Sequence, residues 1–240
     1  MISNFIYLTA DILVVLFPFL LSFDRKVRFW RKWPFLVPGY LTVSVVFIIW
    51  DIIVTKRGDW SFNPEYTLGI ELLGLPVEEL LFFIVVPYSC MFTYEALSYY
   101  FKDRKVPFSR WPYLGAGILF LAAAVIFRGQ GYTLLAMVSC AVLAFAALFL
   151  TPWMLSSRVF WTFIAVTMGL FVMMNMVLTS LPIVEYSPDA IWGGDGAWNG
   201  RFFHIPLEDF FYNLSFLTSF LMVYLLGKKY LKKGRMTDEK

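Results

Sequence analysis

Long apolar runs separated by short polar segments set the plan of this chain. Runs long enough to cross a bilayer, roughly 17 to 25 residues, occupy residues 4–23, 35–54, 77–100, 159–180 and 206–227. A further apolar stretch between Trp111 and Pro152 is broken by Arg128-Gly129-Gln130-Gly131 into two spans, the first of them short. The pattern predicts an all-α, polytopic membrane protein with seven transmembrane helices. No basic residue precedes the first run and no small-residue cleavage signal follows Leu21, so the run is expected to remain as helix 1 and not to be removed as a signal peptide.

The polar segments orient these helices. Residues 24–32 carry five basic side chains and one acid, which places them in the cytoplasm by the positive-inside rule. Lys102, Arg104, Lys105 and Arg110 do the same after helix 3, Arg158 does so weakly after helix 5, and Lys228, Lys229, Lys232, Lys233 and Arg235 do so for the tail. The other loops hold Asp59, Glu65 and Glu71, or Glu185, Asp189 and Asp195, with few bases. A multi-pass cell-membrane protein with its N-terminus outside and its C-terminus in the cytoplasm is expected.

Within that frame one motif occurs twice. Leu75-Pro76-Val77-Glu78-Glu79 and Ile205-Pro206-Leu207-Glu208-Asp209 each put two adjacent acids at the start of a very apolar helix, followed by Phe82-Phe83 and by Phe210-Phe211-Tyr212. Each Pro is expected at the first helical position, where its missing N–H costs nothing. Acids in a first turn also suit the helix dipole, so a single copy is compatible with a plain helix start. Two copies on the same outer side favour function, because ionisable groups within a membrane are costly. The chain then divides into a first three-helix repeat over residues 1–105, a connecting helix over 106–130, and a second three-helix repeat with the basic tail over 131–240. The two repeats are parallel, with a site between them.

Long loops precede both motifs. The first holds Trp60, Phe62, Asn63 and Tyr66; the second holds Tyr186, Trp192, Trp198, Phe202 and Phe203. Loops of this length are commonly functional, and their aromatic content suggests lids folded back onto the membrane, with interfacial anchoring as the alternative. At depth lie Asp11, Asp51, Glu95, Asn175 and Asn213. Asp51 is expected near the start of helix 3. Glu95 stands seventeen residues beyond Glu78, roughly 25 Å along the helix axis at 1.5 Å per residue, and reads as a residue of the cytoplasmic end.

Composition excludes several classes. With 60% hydrophobic and 15% charged residues and a mean hydropathy of +0.69, an ordinary soluble domain is ruled out. A net charge of +3 gives no reason to expect a nucleic-acid partner. Cys90, Cys140 and the single His204 offer neither a disulfide framework nor metal-ligand spacing, so no metal is expected. The last span has no Lys for a retinal Schiff base. Gly193-Gly194-Asp195-Gly196 lacks the spacing of a dinucleotide fingerprint and reads as a turn, and no Asp-rich diphosphate-binding motif is present. No cofactor is expected.

Over nearly its whole length the sequence resembles the small integral-membrane lycopene cyclases, which are two short related proteins in some actinobacteria and one fused chain in archaea and fungi. The resemblance rests on Trp60-Ser61-Phe62-Asn63, on residues 74–83, on Tyr186-Ser187-Pro188, on Ile191-Trp192-Gly193 and on residues 205–212. The chain departs from that family by an expanded segment over residues 194–200. The resemblance implies redox-neutral cyclisation of lycopene end groups to β-ionone rings through a carbocation, in a bilayer, with other carotenoid enzymes as possible partners. Such chemistry requires a carboxylic acid, a carboxylate base, dry walls and aromatic faces. Glu78 and Glu208 are expected as the principal acids, with Glu79 and Asp209 as their partners in proton transfer. Trp60, Phe82, Phe83, Trp192 and Tyr212 are candidate cation-facing aromatics, and Asp51 and Asn175 are candidate polar residues of the same site. Two other readings remain open: a small-solute transporter with paired acids at an outer gate, and a carotenoid end-group hydratase in which water traps the cation.

Overall fold

Helices form where the apolar runs predict them. The computed structural model describes residues 3–194 and 199–238, with side chains as far as residue 230. Asp195, Gly196 and Trp198 of the second loop, and the tail side chains of Lys232, Lys233 and Arg235, lie outside the described residues. Helix α1 spans Ile6–Leu21, α2 Val37–Arg57, α3 Val77–Tyr100, α4 Trp111–Ile126, α5 Gly131–Leu150, α6 Arg158–Ser180 and α7 Leu207–Asp238. Among the described residues, six of these elements are long and apolar enough to cross a membrane, and α4, with 16 residues, is the shorter one. Their outward faces are apolar as well: Leu41, Val125, Phe149 and Met173 each expose at least 68% of their surface.

Local chemistry sets the helix ends. Gly58, with φ +82°, closes α2 in the left-handed conformation, its N–H returning to the carbonyls of Val54 and Thr55. The Ser157 hydroxyl caps α6 by accepting the Phe160 N–H at 3.1 Å. A π turn over Tyr40–Ser44 interrupts α2. Just before it, Gly39 lets the Phe220 ring of α7 come so close that a Cβ would stand 2.7 Å from it.

The proline expectation is corrected by one residue. Pro76 has an extended backbone (φ −57°, ψ 145°) and precedes α3, so Val77 is the first helical residue, and Glu78 and Glu79 are the second and third. The cause is a tiny ribbon. Strand β2, Glu71–Leu72, pairs antiparallel with β3, Leu75–Pro76, which holds Pro76 in strand geometry. The same ribbon recurs before α7, where β5 (Arg201–Phe202) pairs with β6 (Ile205–Pro206). Val77 N–H donates to the Ile70 carbonyl and Leu207 N–H to the Gly200 carbonyl, both at 2.9 Å. Leu73 (φ 61°) and Phe203 (φ 54°) take the left-handed turn positions.

Two clasps join segments far apart in sequence. At the loop end, β1 (Trp60–Phe62) pairs antiparallel with β4 (Val184–Tyr186), setting Trp60 opposite Tyr186. At the other end, Val106 N–H donates to Ser156 O at 2.8 Å and Arg158 N–H to Arg104 O at 3.0 Å. Glu95 lies at that basic end. It is buried, accepts the Tyr224 hydroxyl at 2.8 Å, and forms ion pairs with Lys32 and Lys228. Between the clasps the core is aromatic, with Phe29, Phe83, Phe163, Phe216 and Phe220 at 1% exposure or less.

Candidate active site

The two ribbons decide where the acids point. With Pro76 and Pro206 extended, both acidic pairs begin their helices at one small cleft. Glu79 and Asp209 line it. The cleft walls are largely aromatic: Tyr7, Trp60, Phe62, Phe82, Tyr132, Phe171, Tyr186 and Tyr212. Trp60 stands edge-on to Tyr132 at 4.8 Å between ring centroids, and Tyr132 stacks on Tyr186 at 5.9 Å. Negative ring faces so placed attract a cation.

Each cleft acid is held by named donors. Glu79 Oε2 accepts the Tyr7 hydroxyl at 2.5 Å, and the Glu79 carboxyl is a hydrogen-bonding neighbour of Asp51. Asp51 Oδ1 accepts the Trp60 indole N–H at 2.9 Å and the Thr55 hydroxyl at 3.3 Å. Asp209 Oδ1 accepts the Tyr132 hydroxyl at 2.6 Å; its Oδ2 accepts Asn175 Nδ2 at 2.6 Å and the Tyr186 hydroxyl at 2.8 Å. Tyr186 lies in the loop strand β4. Burial, reinforced by the neighbouring Asp209, raises its phenol well above the usual range, so it remains a donor.

The other acid of each pair faces a loop. Glu78 Oε1 accepts the Leu68 backbone N–H at 2.6 Å. Glu208 Oε1 accepts the Trp192 backbone N–H at 2.7 Å and the Thr133 hydroxyl at 2.5 Å. Both are buried, at 0% and 1% exposure. They tie the long loops to the helix starts.

Comparison with known sequences decides the family. The sequence model of the family described as lycopene cyclase matches residues 4–97 and 130–226, most of the chain. The chain belongs to the lycopene cyclase family. Similar curated proteins include the bifunctional lycopene cyclase/phytoene synthase of Phaeosphaeria nodorum, 33% identical over 119 residues, which are 46% of this chain and 20% of that protein. That of Podospora anserina is 26% identical over 121 residues, 47% of this chain and 19% of that protein. That of Neurospora crassa is 42% identical over 45 residues, 19% of this chain and 8% of that protein. The matched stretches thus span about a fifth or less of these longer relatives. No solved structure matches the chain significantly.

Against this family background, the residues expected from the sequence fall into three groups. Trp60, Phe82, Tyr212, Asn175, Glu79 and Asp209 line the cleft, and Asp51 stands behind Glu79 and Trp60. Phe83 does not line it: fully buried, it packs edge-on to Phe216 at 5.5 Å, because it is one residue, about 100° of helix, away from Phe82. The Trp192 ring does not line it either. It lies 5.6 Å from the Phe127 ring, and the residue's backbone N–H serves Glu208. Tyr7 and Tyr132, near the starts of α1 and α5, carried no motif that marked them. Tyr186 was visible as a loop aromatic and in the stretch Tyr186-Ser187-Pro188 that carries the resemblance, but not as a partner of Asp209.

The loop anchor at Glu208 depends on one glycine. Gly200 has φ +62°, and a Cβ there would stand 1.7 Å from the Trp192 carbonyl oxygen. Gly200→Ala is expected to destabilise the loop by about 1–3 kcal/mol through backbone strain. It should also lower turnover by roughly 10- to 100-fold through misplacement of the second acidic helix start. Thermal melting together with a turnover assay checks both expectations.

Proposed function

We propose that this protein cyclises the end groups of lycopene, or of a similar linear carotenoid, to β-ionone rings without change of redox state. The observation that carries the reading is one aromatic-walled cleft receiving a carboxyl from each of two matching helix starts, Glu79 and Asp209. A proton added to the terminal double bond leaves a tertiary carbocation. The next suitably placed double bond attacks it, closing a six-membered ring and moving the cation onto the ring. Loss of a ring proton then restores a double bond. One proton enters and one leaves, so substrate and product have the same mass.

In this reading Glu79 and Asp209 are the catalytic residues that meet the end group, and Glu78 and Glu208 hold the loops that close over it. That reverses the ranking expected from the motifs. Trp60, Tyr132, Tyr186 and Tyr212 face the cation, and burial keeps out the water that would trap it. The long polyene remains among the apolar helix faces and membrane lipid.

The same reading makes α4 a seventh, short span, and divides the chain into parallel units over residues 1–105 and 131–240 joined by α4. Its support is the recurrence of ribbon, closing backbone bond and acid pair at a constant interval: Ile70, Val77, Glu78 and Glu79 correspond to Gly200, Leu207, Glu208 and Asp209. With basic residues clustered at the opposite end, the cleft lies on the outer side of the cell membrane and the C-terminus in the cytoplasm. Other carotenoid enzymes are then neighbours in the same bilayer.

The test is direct. Purified protein in liposomes, given lycopene and no ion gradient, is expected to yield a ring-bearing product of unchanged mass. Product heavier by one water would make it a hydratase, and unchanged lycopene would overturn the cyclase reading.

A further inference from the structure

We infer that the two halves of the cleft have different proton roles: Glu79, sharing a proton with Asp51, is the donor, and Asp209 is the base that takes the ring proton. This rests on the cyclase reading above. The two halves share a plan but differ in what surrounds each cleft acid. Tyr7 on α1 serves Glu79 as Tyr132 on α5 serves Asp209. Helix α2 brings a carboxyl, Asp51, to Glu79, whereas α6 brings an amide, Asn175, to Asp209.

These different surroundings decide the proton count. Around Asp209 stand three neutral donors, the hydroxyls of Tyr132 and Tyr186 and the amide of Asn175. Such an arrangement favours the ionised form. Two carboxylate oxygens offer about four acceptor positions, so one remains to receive a proton. Around Glu79 stand one neutral donor, the Tyr7 hydroxyl, and another carboxyl, Asp51. Two carboxyls form a hydrogen bond only when one of them carries a proton, as in paired-acid sites where like charges cannot both ionise. Asp51 Oδ2 is buried and meets no N–H or hydroxyl donor among the described residues. Asp11 adds a third carboxyl, within electrostatic range of Glu79, with both oxygens buried and no donor among the described residues. The residues that line the cleft include no Lys or Arg to offset this charge.

The cycle balances. Glu79 gives its proton to the terminal alkene carbon; the ring carbon later loses a proton to Asp209; Glu79 is reloaded from solvent as Asp209 is discharged to it. Asp51 is a positioning residue, acting through Glu79.

Deuterium tells the two roles apart. In D₂O the native protein is expected to place one deuteron in each new ring. Asp209→Asn should form little ring yet put deuterium into recovered lycopene, because protonation and its reversal continue without the base. Glu79→Gln should do neither, with incorporation at least ~10-fold below that of Asp209→Asn, in line with loss of general acid catalysis. Asn175→Asp, close in shape, gives Asp209 a proton to share and should likewise exchange without closing rings. It serves as the test if Asp209→Asn does not accumulate. Asp51→Asn should lower exchange and ring formation together, and Asp51→Glu should restore part of both, whereas a merely structural Asp51 would tolerate the isosteric Asn better. Exchange in Glu79→Gln, equal exchange in the Glu79 and Asp209 variants, or exchange in no variant overturns the assignment. A native protein that forms no ring at all would instead refute the cyclase reading.

Discussion

Glu79→Gln and Asp209→Asn are expected to lower ring formation by about a thousandfold or more, whereas Glu78→Gln and Glu208→Gln should cost roughly tenfold. Positioned general acids and bases each contribute about 10² to 10⁴ in rate, and only Glu79 and Asp209 line the cleft. Gln at 78 still offers an oxygen to the Leu68 N–H, and Gln at 208 still offers one to the Trp192 N–H and the Thr133 hydroxyl. What those variants lose is the charge assistance of the bond, not the bond itself. The comparison is made in lycopene-accumulating cells by pigment chromatography, normalised to membrane protein level. If Glu78→Gln were as inactive as Glu79→Gln at equal level, the chemistry would return to the first acid of each pair.

The helices were legible because twenty apolar residues in a row leave few alternatives. Helix α3 occupies the expected residues 77–100, and even the break at Arg128-Gly131 reappears as the gap between α4 and α5. The recurrence of Pro, an aliphatic residue and two acids located both helix starts that meet at the cleft. Which acid of each pair faces the cleft was not legible, because it depends on helical phase. Two-residue strands hold Pro76 and Pro206 outside their helices and so set that phase. Strands so short show no alternation to read. The partners of the acids were hidden for a related reason. Tyr7 and Tyr132 are scattered polar residues in apolar helices, and nothing along the chain distinguishes them from interfacial or packing residues until the helices are side by side. Asp51 and Asn175 were the exceptions, since a polar or charged group deep in an apolar span asks for a partner.

Lys32→Met with Lys228→Met is expected to destabilise the protein by roughly 3–5 kcal/mol, as removal of the partners of a buried charge does. Glu95 has side-chain exposure of only 4%, and these two ammoniums, 27% and 22% exposed, are its cationic partners. The Tyr224 hydroxyl remains and does not neutralise it. Lys32 comes from the segment after α1, Glu95 from α3 and Lys228 from α7, so the cluster ties the beginning, middle and end of the chain at the basic end of the bundle. For a chain of this size the cost corresponds to a melting point lower by very roughly 6–20 °C. Adding Glu95→Met to the pair should recover most of that loss, because replacing a whole buried ion cluster with apolar side chains is often neutral, whereas breaking it is not. Thermal melting in detergent of the double and triple variants makes the comparison. A triple variant no more stable than the double would show that Glu95 acts through packing and not through its charge.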